Sequence, residues 1–253
     1  MNFNTQNSKK CLNCLSDLSG NFCSQCGQKG NLGRITFKET LNSFMSASFA
    51  LEGPLFYTIK GLILKPGDVF REYFSGKRKT YYKPVAFFIL MTALYIILRT
   101  MINFDPLEGQ VAIDPSSNEL PRSVVKTRQA ARFMVAHINH IMFFLVFSIA
   151  VITKLFFWKK QNLAEYIAMG FYISGMYILF GIPLMFISKY SSFNANEIQL
   201  ILLAIYILFC IGSFFKKRSF RNIVTYFFTS ILSILLYISL GFGFSLWIVL
   251  LKD

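Results

Sequence analysis

Four cysteines lie close together near the start of the chain, as Cys11-x-x-Cys14 and Cys23-x-x-Cys26. A tight turn between paired cysteines presents two thiolates to one ion, and two such turns complete a tetrahedral shell. The spacing predicts a compact zinc ribbon over residues 11–30, with Gly20 and Gly27 suited to its turns. Four sulfurs leave no open coordination position, so the expected cofactor is one structural zinc ion per chain rather than a catalytic one. Iron in the same four-sulfur geometry, or a redox-active dithiol pair, are the alternatives. The fifth cysteine, Cys210, falls in an apolar run and reads as a packing residue.

A second cluster is Ser75-Gly-Lys-Arg-Lys-Thr-Tyr-Tyr-Lys-Pro84. Lys77, Arg78, Lys79, Tyr81 and Lys83 form a basic, aromatic collar of the kind a phosphate-rich membrane surface attracts, at about 1 kcal/mol per cation. The expected ligand is an anionic lipid headgroup. The plainer alternative is ordinary positive flanking of a membrane span.

His137, Asn139 and His140 form a third group, an expected intramembrane polar site with both imidazoles on one helical face. Its alternative is a pair of hydrogen-bonded packing histidines. No nucleophile elbow, phosphate-binding loop, HExxH motif or acidic cluster occurs, and the expectation is a non-enzymatic protein.

The elements that must position these residues follow from composition. Of 253 residues, 54% are hydrophobic and 15% charged, and the apolar residues fall in long blocks. That is the signature of an all-α polytopic membrane protein. About five transmembrane helices are expected within a bundle over 84–253, at 84–102, 133–157, 163–188, 197–215 and 222–250. The last is longer than one crossing needs, and Gly241-Phe-Gly243 offers a place to bend or turn back. Lys126, Arg128 and Arg132 suggest a surface-lying stretch ahead of the second crossing. Residues 1–10 read as a disordered leader. Residues 34–83 read as amphipathic interfacial helices, one opening at Thr36-x-x-Glu39, or alternatively as a small soluble helical domain.

Net charge is +14, which could suggest nucleic acid, but the cations sit at the ends of apolar blocks and nucleic acid is disfavoured. Without an apolar leader sequence the N-terminus is expected to stay in a reducing cytosol. Twelve Lys and Arg then lie inside in 1–83, three in 154–160 and four in 216–221, which makes 19 of 26.

The chain resembles a bacterial membrane-protein family of unknown function known by a Gly-Lys-Arg signature. The matching residues are Cys11-Leu-Asn-Cys14, Phe22-Cys-Ser-Gln-Cys26-Gly-Gln28, Ile35-Thr-Phe37, Thr58, Lys65-Pro-Gly67, and Gly76-Lys-Arg78 with Tyr81 and Pro84. The resemblance implies a cytosolic zinc ribbon ahead of a helical domain in a bacterial inner (cytoplasmic) membrane, and no activity. Lys65-Pro-Gly67 leading into the bundle is also loosely similar to Yip1-type membrane domains. The functional expectation is a scaffold or adaptor that binds a partner protein through the ribbon, or anionic membrane lipid, at the cytosolic face. The alternative is a small transporter or lipid flippase using the Gly- and Pro-containing third span and the histidine face. Oligomeric state is open.

Overall fold

Long apolar blocks must satisfy every backbone hydrogen bond internally, and here they do so as helices. The computed structural model describes residues 10–33, 35–36, 53–107, 121–191, 196–216 and 219–251. Most of the expected leader and the expected helix opening at Thr36 lie outside the described residues, as does the side chain of Asn139. Eight helices are described: α1 (Gly53–Leu64), α2 (Pro66–Phe74), α3 (Pro84–Met101), α4 (Arg122–Ala136), α5 (Ile138–Phe156), α6 (Leu163–Tyr190), α7 (Asn196–Phe215) and α8 (Phe220–Leu251). The chain is an all-helical polytopic membrane protein with a four-cysteine ribbon at its N-terminal end.

Local chemistry sets the boundaries. Pro66 and Pro84 open α2 and α3, where a missing N–H costs nothing. Asn162 and Glu165 form a reciprocal capping box at the start of α6. At the end of α2, Gly76 N–H donates to Tyr73 O (3.3 Å) and Lys77 N–H to Glu72 O (3.0 Å), the paired bonds of a Schellman closure.

Four helices are each long and apolar enough to cross a membrane: α3, α6, most of α7, and α8. The pair α4–α5 makes a fifth candidate, but its two halves meet at 89°. The expected second crossing at 133–157 is thus shortened at its start, because the chain breaks at His137. The physical reason is amphipathicity. α4 carries Lys126, Arg128 and Arg132, buries Val125 and Ala130 and packs on α8, the pattern of an amphipathic helix suited to an interface rather than to hydrocarbon. α8 runs without interruption through Gly241 and Gly243, so the chain does not turn back there.

α6 is the central element and packs on α3, α5 and α7. Three of its glycines each admit a different neighbour. A methyl at Gly170 would meet Val146 O of α5 at 2.6 Å, one at Gly175 the Phe87 ring of α3 at 2.7 Å, and one at Gly181 Gln199 of α7 at 2.6 Å. Pro183 sits inside α6 without ending it. α3 and α6 run parallel, with Lys189 donating to Asn103 O at 3.2 Å at their far ends. At the other end, the starts of α3, α6 and α8 and the ends of α5 and α7 gather around α1, α2 and the ribbon.

Candidate metal centre and its docking collar

The ribbon is two copies of one turn. Cys11 N–H donates to Ser16 O (2.8 Å) and Leu15 N–H to Cys11 O (2.9 Å). In the second knuckle Cys23 N–H donates to Gln28 O (2.7 Å) and Gly27 N–H to Cys23 O (2.8 Å). Each turn requires a left-handed residue after its second cysteine, Leu15 at φ 64° and Gly27 at φ 68°. Each is closed by a single antiparallel bridge, Lys10 with Asp17 and Phe22 with Lys29.

The two turns face each other. All four sulfurs lie within 4.8 Å of one another, with Cys11–Cys26 at 3.6 Å and Cys14–Cys23 at 3.5 Å. A tetrahedron built on ~2.3 Å metal–sulfur bonds has edges of about 3.8 Å, so the donor set and its spacing fit one four-coordinate ion. Asn13 N–H donates to Cys11 Sγ at 3.4 Å. The Ser16 hydroxyl lies 3.0 Å from both Cys14 and Cys23, joining opposite knuckles. That hydroxyl draws both thiols below their ordinary range, Cys23 to about 6, while burial pushes Cys26 up to about 12. A hydroxyl donor favours thiolate, the form a metal needs.

The ribbon does not hang free of the bundle. Gln28, buried at 5% exposure, accepts on Oε1 from the backbone N–H groups of Arg78 (3.1 Å) and Lys79 (3.0 Å). Asn13, between the first two cysteines, accepts on Oδ1 from Thr80 N–H (3.0 Å) and its hydroxyl. Arg78 Nη2 donates to Gly33 O (2.6 Å). Leu12 packs onto Gly76, where a methyl group would sit 2.8 Å from its Cδ1, and Gly76 itself adopts φ +116°. Further along, Asn162 donates to Ile35 O (3.0 Å), which fixes the exit of the ribbon to the start of α6.

The collar is therefore the ribbon's seat. Lys77 pairs with Glu72 at 3.2 Å, and the buried Tyr81 hydroxyl donates to the same carboxylate at 2.9 Å. Burial and that acid push the Tyr81 phenol well above its ordinary range. Lys83 is half-buried, and burial lowers its ammonium below the usual range. Lys79 carries the exposed charge of the group. Tyr82 N–H donates to Thr58 Oγ1 (2.8 Å) and Tyr172 donates to Tyr82 O, so the collar is bolted to α1 and α6.

His137 and His140 lie at the opposite end, both exposed, at the break between α4 and α5. His137 stacks on Phe133 at 4.0 Å between ring centroids, and its Nδ1 lies 3.0 Å from Phe133 O. Neither histidine lines the small cavity nearby, which is bordered by Tyr95, Gly181 and Gln199. Cys210 is fully buried in the core.

Sequence reasoning missed Ser16, Thr58, Glu72 and Asn13's partner Thr80 as parts of one assembly. It also missed a second junction. Gly67 N–H donates to Ser213 Oγ (3.2 Å), and Arg71 donates to the carbonyls of Ser213 (2.7 Å) and Phe214 (2.5 Å) at the end of α7.

A family model described as a protein of unknown function (DUF3667) matches residues 52–96. That stretch holds Thr58, Lys65–Gly67 and the whole collar. No curated protein and no solved structure matches the chain.

Proposed function

We propose that the chain is a non-enzymatic membrane scaffold whose zinc-stabilised ribbon forms a fixed docking platform on the cytosolic face of a bacterial inner membrane. The observation that carries this reading is the clasp between ribbon and collar. Two knuckle-borne amides, Asn13 and Gln28, hold three consecutive backbone N–H groups of the collar, at Arg78, Lys79 and Thr80. A ribbon held so firmly is suited to presenting a surface rather than to swinging. Leu15 and Phe22, at 70% and 64% exposure, are the apolar side chains it presents to a protein partner. Lys79, with Lys83 beside it, is the part of the collar left to meet anionic lipid.

Sidedness rests on charge. Among the described residues, 14 of 20 Lys and Arg lie toward the ribbon end of the bundle, as a cytosolic face should. The transporter alternative finds less support. The cavity at the far end holds about 50 Å³, room for a few waters and not for a lipid. α6 stays continuous through Pro183 and offers no unwound segment to carry a substrate.

The test is a photo-crosslinking residue at position 15 or 22 in native membranes. A discrete protein adduct that disappears on metal removal is the expected result. No adduct, together with lipid or solute flux in reconstituted vesicles, would replace the scaffold with the transporter.

A further inference from the structure

We infer that the junction of α2 with the end of α7 is a second ligand site, which takes the phosphate of an anionic membrane phospholipid. It lies apart from the ribbon and collar. The inference uses the proposed function only for the side of the membrane on which the junction sits.

A cavity of about 330 Å³ opens there, lined by Lys65, Asp68, Arg71 and Lys216 together with Gly212 and Ser213. Three cations face one carboxylate. Arg71 is spent, because its guanidinium holds Asp68 and the last carbonyls of α7. Asp68 is spent too, held by Arg71 and by Lys216 at 3.4 Å, and its carboxyl is drawn below the usual range by Arg71. Lys65 pairs with no acid among the described residues and stands exposed at the rim. The wall as a whole keeps two positive charges in excess, which suits a phosphate and repels a second amine.

Depth points to a lipid as the source of that phosphate. The membrane-spanning part of α7 ends at Phe215, so Lys216 stands where hydrocarbon gives way to headgroups. Ile201, Ile205 and Phe209 lead up to Gly212 and Lys216 at spacings of four, four, three and four residues, which is one stripe of a helix. Ile201, Ile205 and Phe209 are exposed apolar side chains, at 60%, 59% and 41%. Across the cavity Ile63 and Leu64 of α1 are exposed as well. Acyl chains can therefore lie along α7 with their phosphate at the two lysines.

Purified full-length protein, reconstituted in nanodiscs of phosphatidylcholine with a minor share of phosphatidylglycerol, provides the assay. Retained phosphatidylglycerol is counted by native mass spectrometry for wild type, Lys65→Ala/Lys216→Ala, Lys65→Arg/Lys216→Arg and, as a control at another exposed cation, Lys160→Ala. Removal of both lysines is expected to lower retention roughly tenfold, while the arginine pair and Lys160→Ala keep it near wild type. Lys65→Ala alone disturbs no observed ion pair, and a several-fold loss there supports the site even if the double variant misfolds. Equal retention in wild type and both alanine variants overturns the proposal. So does displacement of the lipid by millimolar inorganic phosphate as readily as by a short-chain phosphatidylglycerol, which would make this a soluble-phosphate site. Zinc content and ribbon crosslinking of these variants stay at wild-type values, so a failure here is distinct from a failure of the scaffold reading.

Discussion

Gln28 accepts a hydrogen bond from the backbone N–H of Arg78 across 50 residues of sequence, and the same oxygen takes the N–H of Lys79. A side-chain carbonyl thus serves two main-chain donors that would otherwise be buried under the ribbon. Gln28→Ala should cost about 1–3 kcal/mol at this contact, because both donors lose their partner while water is kept out. The expected outcome is faster amide exchange at Arg78 and Lys79 and new protease sensitivity in residues 31–52, with zinc content unchanged. Unchanged exchange at those two amides would mean that the clasp is held elsewhere.

Gly76 answers two constraints at once. Its φ of +116° is one that side-chain-bearing residues avoid, and a methyl group would press on Leu12. Gly76→Ala should lift the ribbon, seen as raised exchange at Thr80. Adding Leu12→Ala should restore only part of the loss, since it removes the collision and leaves the backbone strain. Full rescue by Leu12→Ala would show that the strain is negligible.

Much of this architecture is legible in the residues. The ends of α3, α6 and α7 follow from apolar runs, Pro84, the Asn162–Glu165 box and the Lys216 stop. The metal centre follows from cysteine spacing alone. The clasp does not, because its donors are main-chain N–H groups and no side-chain pattern announces a peptide group's partner 50 residues away. Arg78 illustrates the point. Its charge invites a headgroup reading, yet its guanidinium reaches the carbonyl of Gly33. The break at His137 has no proline or glycine to signal it; competition between an amphipathic and an apolar helix decides it. At Gly241 and Gly243, the expected place of a bend or a turn back, Ile141 and Met134 pack against Gly241 and use its missing side chain for close approach, and α8 runs on as one unbroken helix.

Gly67 packs directly against the backbone at the end of α7. A methyl group there would lie 2.2 Å from the carbonyl of Ser213, which is backbone and cannot swing away. Gly67→Ala should therefore cost about 3 kcal/mol or more and detach α2 from α7. The measurement is thermal unfolding in detergent, with Gly33→Ala, which meets no neighbouring atom, as the tolerated control. Equal melting of the two variants would refute the close crossing.

Metal removal should act locally. Elemental analysis is expected to find about one zinc per chain, lost in Cys14→Ser and in Cys23→Ser. Because Asn13 and Gln28 both belong to knuckles that a bound ion would close, chelation should release the amides of Arg78, Lys79 and Thr80 together. Amides of the buried half of α6 should stay protected. Finding iron, or no metal, sinks the zinc assignment, and loss of protection throughout α6 would mean that the ribbon holds up the bundle.

Topology yields the last prediction. α8 runs as one helix for 32 residues from Phe220 to Leu251. At about 1.5 Å per residue it spans roughly 48 Å, more than the ~30 Å of a hydrocarbon core, so it crosses with length to spare. Its start lies beside the ribbon end, and its later turns pack through Gly241 against Met134 of α4, at the far end. Five passages separate the ribbon from the C-terminus only if α4 lies on the surface and α5 alone crosses. If α4 and α5 instead formed a re-entrant pair that returned to the same side, four passages would remain. Reporters placed before Cys11 and after Asp253 distinguish the two. Opposite sides of the membrane are expected, with a reporter near Ser117 on the side of the C-terminus. Both termini on one side would show that the 89° turn at His137 folds the chain back, so that α5 ends on the face where α4 began, away from the ribbon.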